Sequence, residues 1–548
     1  MTARIVAEVE TPGAGETSDT ASAPAVAPPS RGHRHLAWST AIFSLATGVS
    51  RVLGLVREVV AKNYFGVQGP VNAFQIAFLV PNTVRALVAD AALSSAFVPV
   101  FSDLLEKGER KRAWRVASSL FWLTLLGLGA LTALFMVVAP WVMRPLYPDH
   151  HALLIGLSRV LFPIVALLGV SGIVVGILNS YDEFSIPALT PVAWNLAIIA
   201  GLAIGVPYAH TTDGKLYVYA VAILVGTVLQ VLLPLPWLRG KDGRLQLVLD
   251  WRDPYVRQVF KLMLPVMLGL GLININLLID GVIAAHLLDA NLAPAAIDAA
   301  FRIYMLPQGM FSVAVATVLF PSLARLASRG DVSGFRDTVS LGVRQIAFLL
   351  VPASVVTAVL AEPITRLVYQ RGAFKPGQTP IVAAALAAFA AGLTFNGTML
   401  MLNRAFFSLQ SNWLPTGVAL ANLFLNAVLD VAFSPVGIWG IPLATSVVNI
   451  AGTAALFVLL RRKIGRVDFS EISRTFVRVL SASALAGAAA FAVWALLDSA
   501  AGRSLAGQLA SVLPALGAAV AVYFGACLAF QVREMQTLLS LRGRLRRA

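Results

Sequence analysis

Long runs of apolar residues recur along the chain and are separated by short polar segments. Residues 118–139 and 220–238 are almost continuously apolar, without the every-second-residue alternation of a β-barrel strand. A bilayer core of about 30 Å requires roughly 20 apolar residues per helix. The pattern therefore predicts an all-α polytopic membrane protein with about 14 transmembrane helices, which begin near residues 38, 71, 113, 152, 186, 215, 256, 296, 337, 380, 414, 438, 474 and 506.

The composition excludes an ordinary soluble protein. Of the 548 residues, 58% are hydrophobic and 13% are charged, and the mean hydropathy is +0.79, whereas soluble domains carry roughly 25% charged residues. The 42 Lys and Arg residues outnumber the 27 Asp and Glu residues, but basic loops are expected of any multispan protein. The charge is therefore no indication of nucleic-acid binding. Cys527 is the single cysteine, which excludes an internal disulfide and a multi-cysteine metal site.

The basic residues concentrate in alternate loops. They lie in segments 107–115, 239–252, 325–336, 461–466 and 542–547. The positive-inside rule makes these segments cytoplasmic, and an even number of spans places both termini there. One segment, with Arg366, Arg371 and Lys375, departs from the rule. Residues 1–36 contain no apolar run and are predicted to be a disordered cytoplasmic tail without a cleavable signal peptide.

Two segments in different halves of the chain resemble each other. Ala73-Phe74-Gln75-Ile76 is followed by Pro81, and Ala300-Phe301-Arg302-Ile303 is followed by Pro307. Transporters are often built from two such units with the substrate site between them, although chance similarity of apolar segments is an alternative. The predicted domains are a tail at 1–36, an N-terminal lobe of helices 1–6 at 37–240, a C-terminal lobe of helices 7–12 at 241–465, helices 13–14 at 466–532 and a basic cytoplasmic tail at 533–548.

Several arginines fall inside predicted spans, where each costs about 2.5–3.5 kcal/mol at a helix centre. These arginines are Arg51 and Arg57 in span 1, Arg85 in span 2 and Arg302 in span 8. Uncharged or acidic polar residues accompany them, namely Ser50, Glu58, Gln75 and Asn82. At about 100° per residue, Ser50 and Arg57 share a helix face, and the polar residues of span 2 also fall on one side. The pattern predicts guanidinium groups that face the interior of a helix bundle.

Converging guanidinium groups with few nearby carboxylates imply an anionic ligand. Arginine presents a planar fork of donors that matches phosphate oxygens, and such charge-assisted bonds are strong at low dielectric. A diphosphate can offset the desolvation of several arginines at once, which a neutral drug cannot. The alternative for any single arginine is that it extends to the membrane surface or pairs with Glu58 or Asp90.

A second group of polar residues is acidic and amidic. Asn276 and Asp280 in span 7 are spaced i, i+4, as are Asn426 and Asp430 in span 11, and Thr445 lies in span 12. Carboxylate, amide and hydroxyl oxygens are ligands for a hard cation, and an intramembrane Asp can instead carry a proton. The pattern predicts coupling to Na⁺ or H⁺. The alternative is that these residues only hydrogen-bond to one another.

Spaced motifs in the chain resemble the MurJ (MviN) family of lipid II flippases. They are Ser50-Arg51-Val52-Leu53-Gly54, Arg57-Glu58, Ala73-Phe74, Pro81-Asn82, Arg85, Ser94-Ser95-Ala96-Phe97-Val98-Pro99, Ala316 to Leu323, Arg371-Gly372-Ala373-Phe374 and Arg404-Ala405-Phe406-Phe407. The resemblance covers roughly residues 38–530 and follows the order expected of the family. Departures occur at Glu58 and Asn72, where members usually have Asp, at Ala86, where they have Arg, and at Asp90, where they have Glu.

The resemblance implies a multidrug/oligosaccharidyl-lipid/polysaccharide (MOP) exporter fold with two six-helix lobes, and two further helices that form a groove for a lipid tail. It implies that Arg57, Arg85 and Arg302 bind a diphosphate in a central cavity and that Arg51 is a further required arginine. In members with a sodium site, the matching positions are Asp280, Asn426, Asp430 and Thr445.

The expected function is alternating-access transport of lipid II, the lipid-linked peptidoglycan precursor, across the bacterial cytoplasmic membrane. The resemblance implies no cofactor other than a coupling cation. The expected partners are lipid II, membrane lipids and the cell-wall synthesis machinery, and not nucleic acid.

Three alternative functions remain at the level of sequence. One is a flippase for another polyprenyl-diphosphate-linked oligosaccharide, and another is a structural scaffold of the cell-wall machinery. The third is a membrane glycosyl- or phosphotransferase. Asp280-Gly281 is similar to the start of a CDP-alcohol phosphotransferase motif, but Ala285 stands where that motif requires Arg and no later paired aspartates follow.

Overall fold

The computed structural model describes residues 31–88, 91–465 and 469–536, which form α-helices joined by short connections and contain no β-strand. The helices are α1 (Arg31–Phe65), α2 (Val71–Val88), α3 (Ala91–Glu106), α4 (Arg110–Met143), α5 (His151–Leu161), α6 (Ile164–Ser180), α7 (Ser185–Gly205), α8 (Thr212–Leu232), α9 (Pro254–Leu287), α10 (Ala293–Pro307), α11 (Val313–Ser328), α12 (Val332–Val359), α13 (Ala361–Tyr369), α14 (Thr379–Ser408), α15 (Trp413–Phe433), α16 (Gly440–Ile464), α17 (Phe469–Ala501) and α18 (Leu505–Ala529). Most of the predicted N-terminal tail, Asp90 and the last residues of the predicted C-terminal tail lie outside the described residues.

The predicted class, an all-α polytopic membrane protein, is confirmed. Three pairs of consecutive helices follow each other closely and each pair counts as one long helical stretch, namely α2 with α3, α5 with α6, and α10 with α11. Helix α13 has only nine residues and corresponds to no predicted span. Each predicted span start therefore falls at a separate long helical stretch. Within the described residues, 11 stretches are long and apolar enough to cross a membrane.

Local sequence signals account for several helix starts. At four helices a side-chain oxygen of the residue before the first turn accepts a backbone N–H of that turn, which satisfies an otherwise unpaired donor. These capping residues are Thr211 before α8, Asp253 before α9, Asp331 before α12 and Ser504 before α18. Pro254 also occupies the first position of α9, where its missing N–H costs nothing.

The helices pack in two groups with α9 in contact with both. In residues 31–238, α1 packs on α7, α7 on α8, α2 on α5, and α4 on α6. In residues 293–464, α14 is central and packs against α10, α12 and α16, while α15 packs on α16. Helix α9 lies against α2 and α3 of the first group and α15 of the second. A cavity can therefore form where the two groups face each other.

Helices α17 and α18 pack against each other and, through α17, against α12. Charged pairs hold both ends of α17. At one end Glu471 accepts from Arg344 of α12 at 2.7 Å, and at the other Asp498 accepts from Arg366 of α13 at 2.6 Å. Arg366 is only 9% exposed and belongs to the segment that departs from the positive-inside rule. Its charge is neutralised by Asp498, so it does not act as a free loop charge.

We expect the substitution Asp498→Asn to destabilise the protein, because it leaves Arg366 buried without its carboxylate partner. Breaking a buried ion pair from one side costs about 3 kcal/mol. The matched control is Asp103→Asn, which removes the solvent-exposed i, i+4 pair with Lys107 and should cost less than about 1 kcal/mol. Thermal unfolding of the purified variants measures both effects. Equal melting temperatures for the two variants would contradict this account of α17.

Candidate functional site

A cavity of about 950 Å³ lies between the two groups of helices. Its walls come from α1, α2, α6, α7 and α8 on one side and from α9, α10, α14, α15 and α16 on the other. The described charged residues on its walls are Arg57, Arg85, Asp280, Asp298 and Arg302. The volume lies at the upper end of the range of about 300–1,000 Å³ that is usual for a small-molecule site.

A cluster of charged residues, here called the basic cluster, lies at one end of the cavity. It contains Arg57, Glu58, Lys62, Asp298 and Arg302. Glu58 Oε1 lies 2.6 Å from Arg57 Nη2 and 3.8 Å from Arg302 Nε. Asp298 Oδ1 lies 3.0 Å from Arg302 Nη2, and its Oδ2 lies 4.0 Å from Lys62 Nζ. Three cations thus share two carboxylates.

The guanidinium groups of the basic cluster keep donors available. Arginine has five N–H donors, and in the described structure the Nε of Arg57 is buried without a hydrogen-bond partner. The Arg57 guanidinium carbon lies 4.7 Å from the centroid of the Trp194 ring, which stabilises the cation without using its donors. Arg302 is 34% exposed on its side chain and faces the cavity. The cluster can therefore accept an anion.

Arg85 is positioned by its own helix. Its Nε and Nη2 donate to Asn82 Oδ1 at 3.2 and 2.9 Å, a contact that the i, i+3 spacing on α2 allows. Gln75 lies on the same wall of the cavity as Asn82 and Arg85. The polar face predicted for span 2 is therefore the face that α2 presents to the cavity.

Two residues predicted to accompany the cavity arginines, Arg51 and Ser50, do not line the cavity. Arg51 is exposed and lies against Gly309, where an added Cβ would come within 2.9 Å of Arg51 Nη1. The Ser50 carbonyl accepts a 3.4 Å hydrogen bond from Asn195 Nδ2 of α7. Glu58 lines a narrow extension of the cavity together with the rest of the basic cluster.

Three of the predicted cation ligands, Asp280 on α9 and Asn426 and Asp430 on α15, meet in the described structure. Asn426 Nδ2 donates to Asp280 Oδ1 at 2.7 Å and to Asp430 Oδ2 at 2.9 Å. Asn276 Nδ2 donates to the Asp280 carboxylate at 3.1 Å. Asp280, Asn426 and Thr445 line the cavity, whereas Asp430 is fully buried beside Asn426. The Oδ1 of Asp430 has no partner in the described structure, which leaves an oxygen that suits a hard cation or a proton.

Hydrogen bonds between the two groups of helices close one end of the cavity. Four of them involve at least one backbone atom: Gly69 N to Asn291 O (2.7 Å), Ala295 N to Asn72 Oδ1 (2.8 Å), Ala373 N to Asn63 O (2.8 Å) and Tyr147 Oη to Ala290 O (3.1 Å). We call these four hydrogen bonds the loop seal. It lies at the ends of the helices opposite to the predicted cytoplasmic loops.

Sequence reasoning missed Lys62, Asp298 and Trp194. The i, i+4 spacing of Asp298 and Arg302 was an available signal for an ion pair on one helix face. The approach of Lys62 to Asp298, by contrast, joins two helices from different halves of the chain. Periodicity within a single helix carries no information about such a contact.

The fold is that of the MOP transporters. A lipid II flippase MurJ in an inward closed conformation matches with a TM-score of 0.73 at 24% identity, over 91% of this chain and 99% of that chain. An inward-facing multidrug resistance transporter of the MATE family matches with a TM-score of 0.63 at 17% identity, over 79% of this chain and 95% of that chain.

Sequence comparison then identifies the family. Residues 61–505 match the family model described as lipid II flippase MurJ. The probable lipid II flippase MurJ of Haemophilus influenzae is 30% identical over 476 residues, which cover 82% of this chain and 90% of that protein. The lipid II flippase MurJ of Burkholderia cenocepacia is 28% identical over 428 residues, covering 76% and 82%. The chain belongs to the MurJ family of lipid II flippases, and it is a transporter rather than an enzyme.

We expect the substitution Gly372→Ala to weaken the loop seal. Gly372 has a φ of +57°, and a Cβ there would overlap the backbone oxygen of Asn63, so the two loops could not approach as closely. The control Gly330→Ala shares the positive φ, +68°, but its Cβ would meet no atom within 4 Å.

The measurement is labelling of an engineered Phe78→Cys by a membrane-impermeant maleimide, since Phe78 lines the cavity and the native Cys527 is buried. Gly372→Ala should increase labelling several-fold from the face that carries the loop seal, and Gly330→Ala should not. Equal labelling in both variants would show that these loops do not close the cavity.

Proposed function

We propose that this protein moves lipid II from the inner to the outer leaflet of the bacterial cytoplasmic membrane by alternating access. Membership of the MurJ family supports the substrate and the membrane. The observation that carries the proposal is the basic cluster, which places Arg57 and Arg302 in a cavity between two groups of helices. The headgroup occupies the cavity, and movement of the two groups relative to each other exposes it on the other side.

The charge balance of the basic cluster favours a diphosphate as the anchoring group. The cluster has one more positive than negative charge, with three cations and two carboxylates. A lipid-linked diphosphate is anionic and is therefore attracted to this excess. Arg57 and Arg302 each retain donors that can bind phosphate oxygens in a bidentate manner. Arg51 lies outside the cavity wall, close to Gly309, and we assign it no contact with the diphosphate.

The orientation follows from the charge of the loops. The basic loops are cytoplasmic by the positive-inside rule, so both termini are cytoplasmic and the loop seal faces the exterior. With that seal formed, the cavity receives substrate from the cytoplasmic leaflet. We assign the first group of helices to the N-terminal lobe predicted at 37–240, and α9 with the second group to the C-terminal lobe predicted at 241–465.

The prenyl tail remains in the lipid phase while the headgroup crosses. Helices α17 and α18 carry apolar side chains on their outer surfaces, among them Phe491, Leu496, Leu513 and Val520, each about half exposed or more. Such a surface is compatible with a prenyl chain, and we assign the tail to these two helices. The ion pairs at both ends of α17 keep this surface fixed relative to α12 and α13.

Replacement of the cavity arginines tests the proposal. In cells depleted of their resident lipid II flippase, the unmodified chain should restore lipid II at the outer leaflet. Arg57→Ala and Arg302→Ala should each lower that exposure by at least about tenfold, because a hydrogen bond to a charged group contributes about 1.5–3 kcal/mol. Arg112→Ala, in an exposed position at the start of α4, is the control and should behave like the unmodified chain.

Two outcomes would contradict the proposal. If the unmodified chain reaches the membrane but does not restore lipid II exposure, lipid II is not its substrate, which would favour another polyprenyl-diphosphate-linked oligosaccharide. If a variant with Arg57, Arg85 and Arg302 all replaced retains full function, the chain has a scaffolding role and the arginines do not hold a diphosphate.

We also propose that Asp280, Asn426, Asp430 and Thr445 bind a coupling cation. Their oxygen atoms suit Na⁺, which would supply the energy of its gradient for the conformational change, and the carboxylates suit a proton equally well. A ligand that binds only the folded state at 100 times its dissociation constant adds about 2.7 kcal/mol to stability. NaCl should therefore raise the melting temperature of the purified protein relative to choline chloride, and Asp430→Asn should abolish the difference.

A proton-coupled protein would behave differently. Its melting temperature would not respond to Na⁺, and its transport would vary with pH in a way that Asp430→Asn removes. The absence of both the Na⁺ response and an Asp430-dependent pH response would overturn the proposal of ion coupling at this site.

A further inference from the structure

The wall of the cavity formed by α14, α15 and α16 combines apolar side chains with polar side chains that carry no charge. The described residues that these helices contribute to the cavity include no Asp, Glu, Lys or Arg. They do include the amide side chains of Asn396 and Asn403 on α14, Asn422 on α15 and Asn449 on α16. The arginines of the cavity therefore lie on α1, α2 and α10, whereas the amide side chains form a surface on α14, α15 and α16.

Two of these asparagines form a hydrogen-bonded chain with Gln308, which lies on a third element. Gln308 Nε2 donates to Asn396 Oδ1 at 2.6 Å, and Asn396 Nδ2 donates to Asn449 Oδ1 at 3.4 Å. We call Gln308, Asn396 and Asn449 the amide relay. The relay holds each side chain in one orientation, since its members fix the carbonyl and amino ends of their neighbours.

A π-helical turn places Gln308 in the relay. Residues Gln308–Ser312 form this turn directly after Pro307, between α10 and α11. Such turns are rare and are found frequently at functional sites. The turn lies on the same membrane-spanning stretch as Arg302, so this stretch carries both a member of the basic cluster and a member of the amide relay.

The amide surface retains buried hydrogen-bonding atoms without partners. Asn449 is 5% exposed, and its Nδ2 has no partner in the described structure. The Oδ1 of Asn403, on the same face of α14 as Asn396, is also unpartnered. Buried polar groups in folded proteins are nearly always paired. These unpaired atoms belong to residues that line the cavity, so a bound molecule would have a donor and an acceptor to satisfy there.

The geometry points to the amide relay as the surface that recognises the sugar–peptide part of the headgroup. This inference rests on the proposed function, because it assumes that the basic cluster holds the diphosphate. Amide side chains pair with the acetamido, peptide and hydroxyl groups of such a headgroup and give no advantage to a further anion. The arginines thus anchor any polyprenyl diphosphate, and Asn396, Asn449 and Gln308 determine which headgroup is accepted.

The test compares two probes that share the diphosphate. Binding of lipid II and of undecaprenyl diphosphate, which has no sugar or peptide, is measured with the purified full-length chain in nanodiscs. The unmodified chain should bind lipid II at least about tenfold more tightly, which equals about 1.4 kcal/mol. Asn396→Leu and Asn449→Leu should each remove most of this preference and leave the affinity for undecaprenyl diphosphate unchanged.

Matched variants separate recognition from folding. Thr398→Val removes a hydroxyl from the same helix, but that hydroxyl donates to Thr394 O within α14, so the preference should remain. Gln308→Met replaces a half-buried member of the relay with a side chain of similar shape and provides a second variant if the asparagine variants misfold. Arg302→Ala should instead weaken the binding of both probes.

Several results would overturn the inference. If all three relay variants keep the preference for lipid II, other residues recognise the headgroup. The proposed function would not be affected by that result. Equal losses for both probes would assign the relay a structural role. An unmodified chain that binds undecaprenyl diphosphate but has no preference for lipid II would exclude headgroup recognition by the cavity. Failure to bind either probe would count against the proposed function itself.

Discussion

The structure depends on positive charge held inside a membrane-spanning bundle. Arg57, Lys62 and Arg302 lie on helices that are otherwise largely apolar, and two carboxylates, Glu58 and Asp298, partly neutralise them. Full neutralisation would remove the attraction for an anionic substrate, and no neutralisation would make insertion of these helices costly. The pairing leaves a small excess of positive charge, which persists only because the cavity gives the guanidinium groups polar surroundings.

The remainder of the fold maintains that cavity. The loop seal joins the two groups of helices at one end, while α9 packs against both groups along its length. The cavity itself has two chemically different walls, one cationic and one rich in amides. Because the seal consists of a few hydrogen bonds between loops and helix ends of the two groups, it can break without disturbing the packing within either group. Alternating access requires this separation of strong internal packing from a weaker contact between the groups.

The sequence was sufficient to predict the helices and much of the cationic wall. Apolar runs locate the spans because the bilayer requires them, and the 100° periodicity shows that Gln75, Asn82 and Arg85 share a face of α2. The contact of Arg51 with Gly309 and the amide relay were not predictable in this way. Both join helices that are distant in the chain, and periodicity defines only directions around a single helix. Asp430 illustrates the same limit, since it lies behind Asn426 rather than on the cavity wall.

The most direct test of the central claim is a cryo-electron microscopy structure of the chain with undecaprenyl diphosphate bound. The account predicts that the phosphate oxygens lie within hydrogen-bond distance of the guanidinium groups of Arg57 and Arg302, with Arg85 on the same side of the ligand. A diphosphate bound at the membrane surface, with Arg57 and Arg302 still engaged only by Glu58 and Asp298, would contradict it.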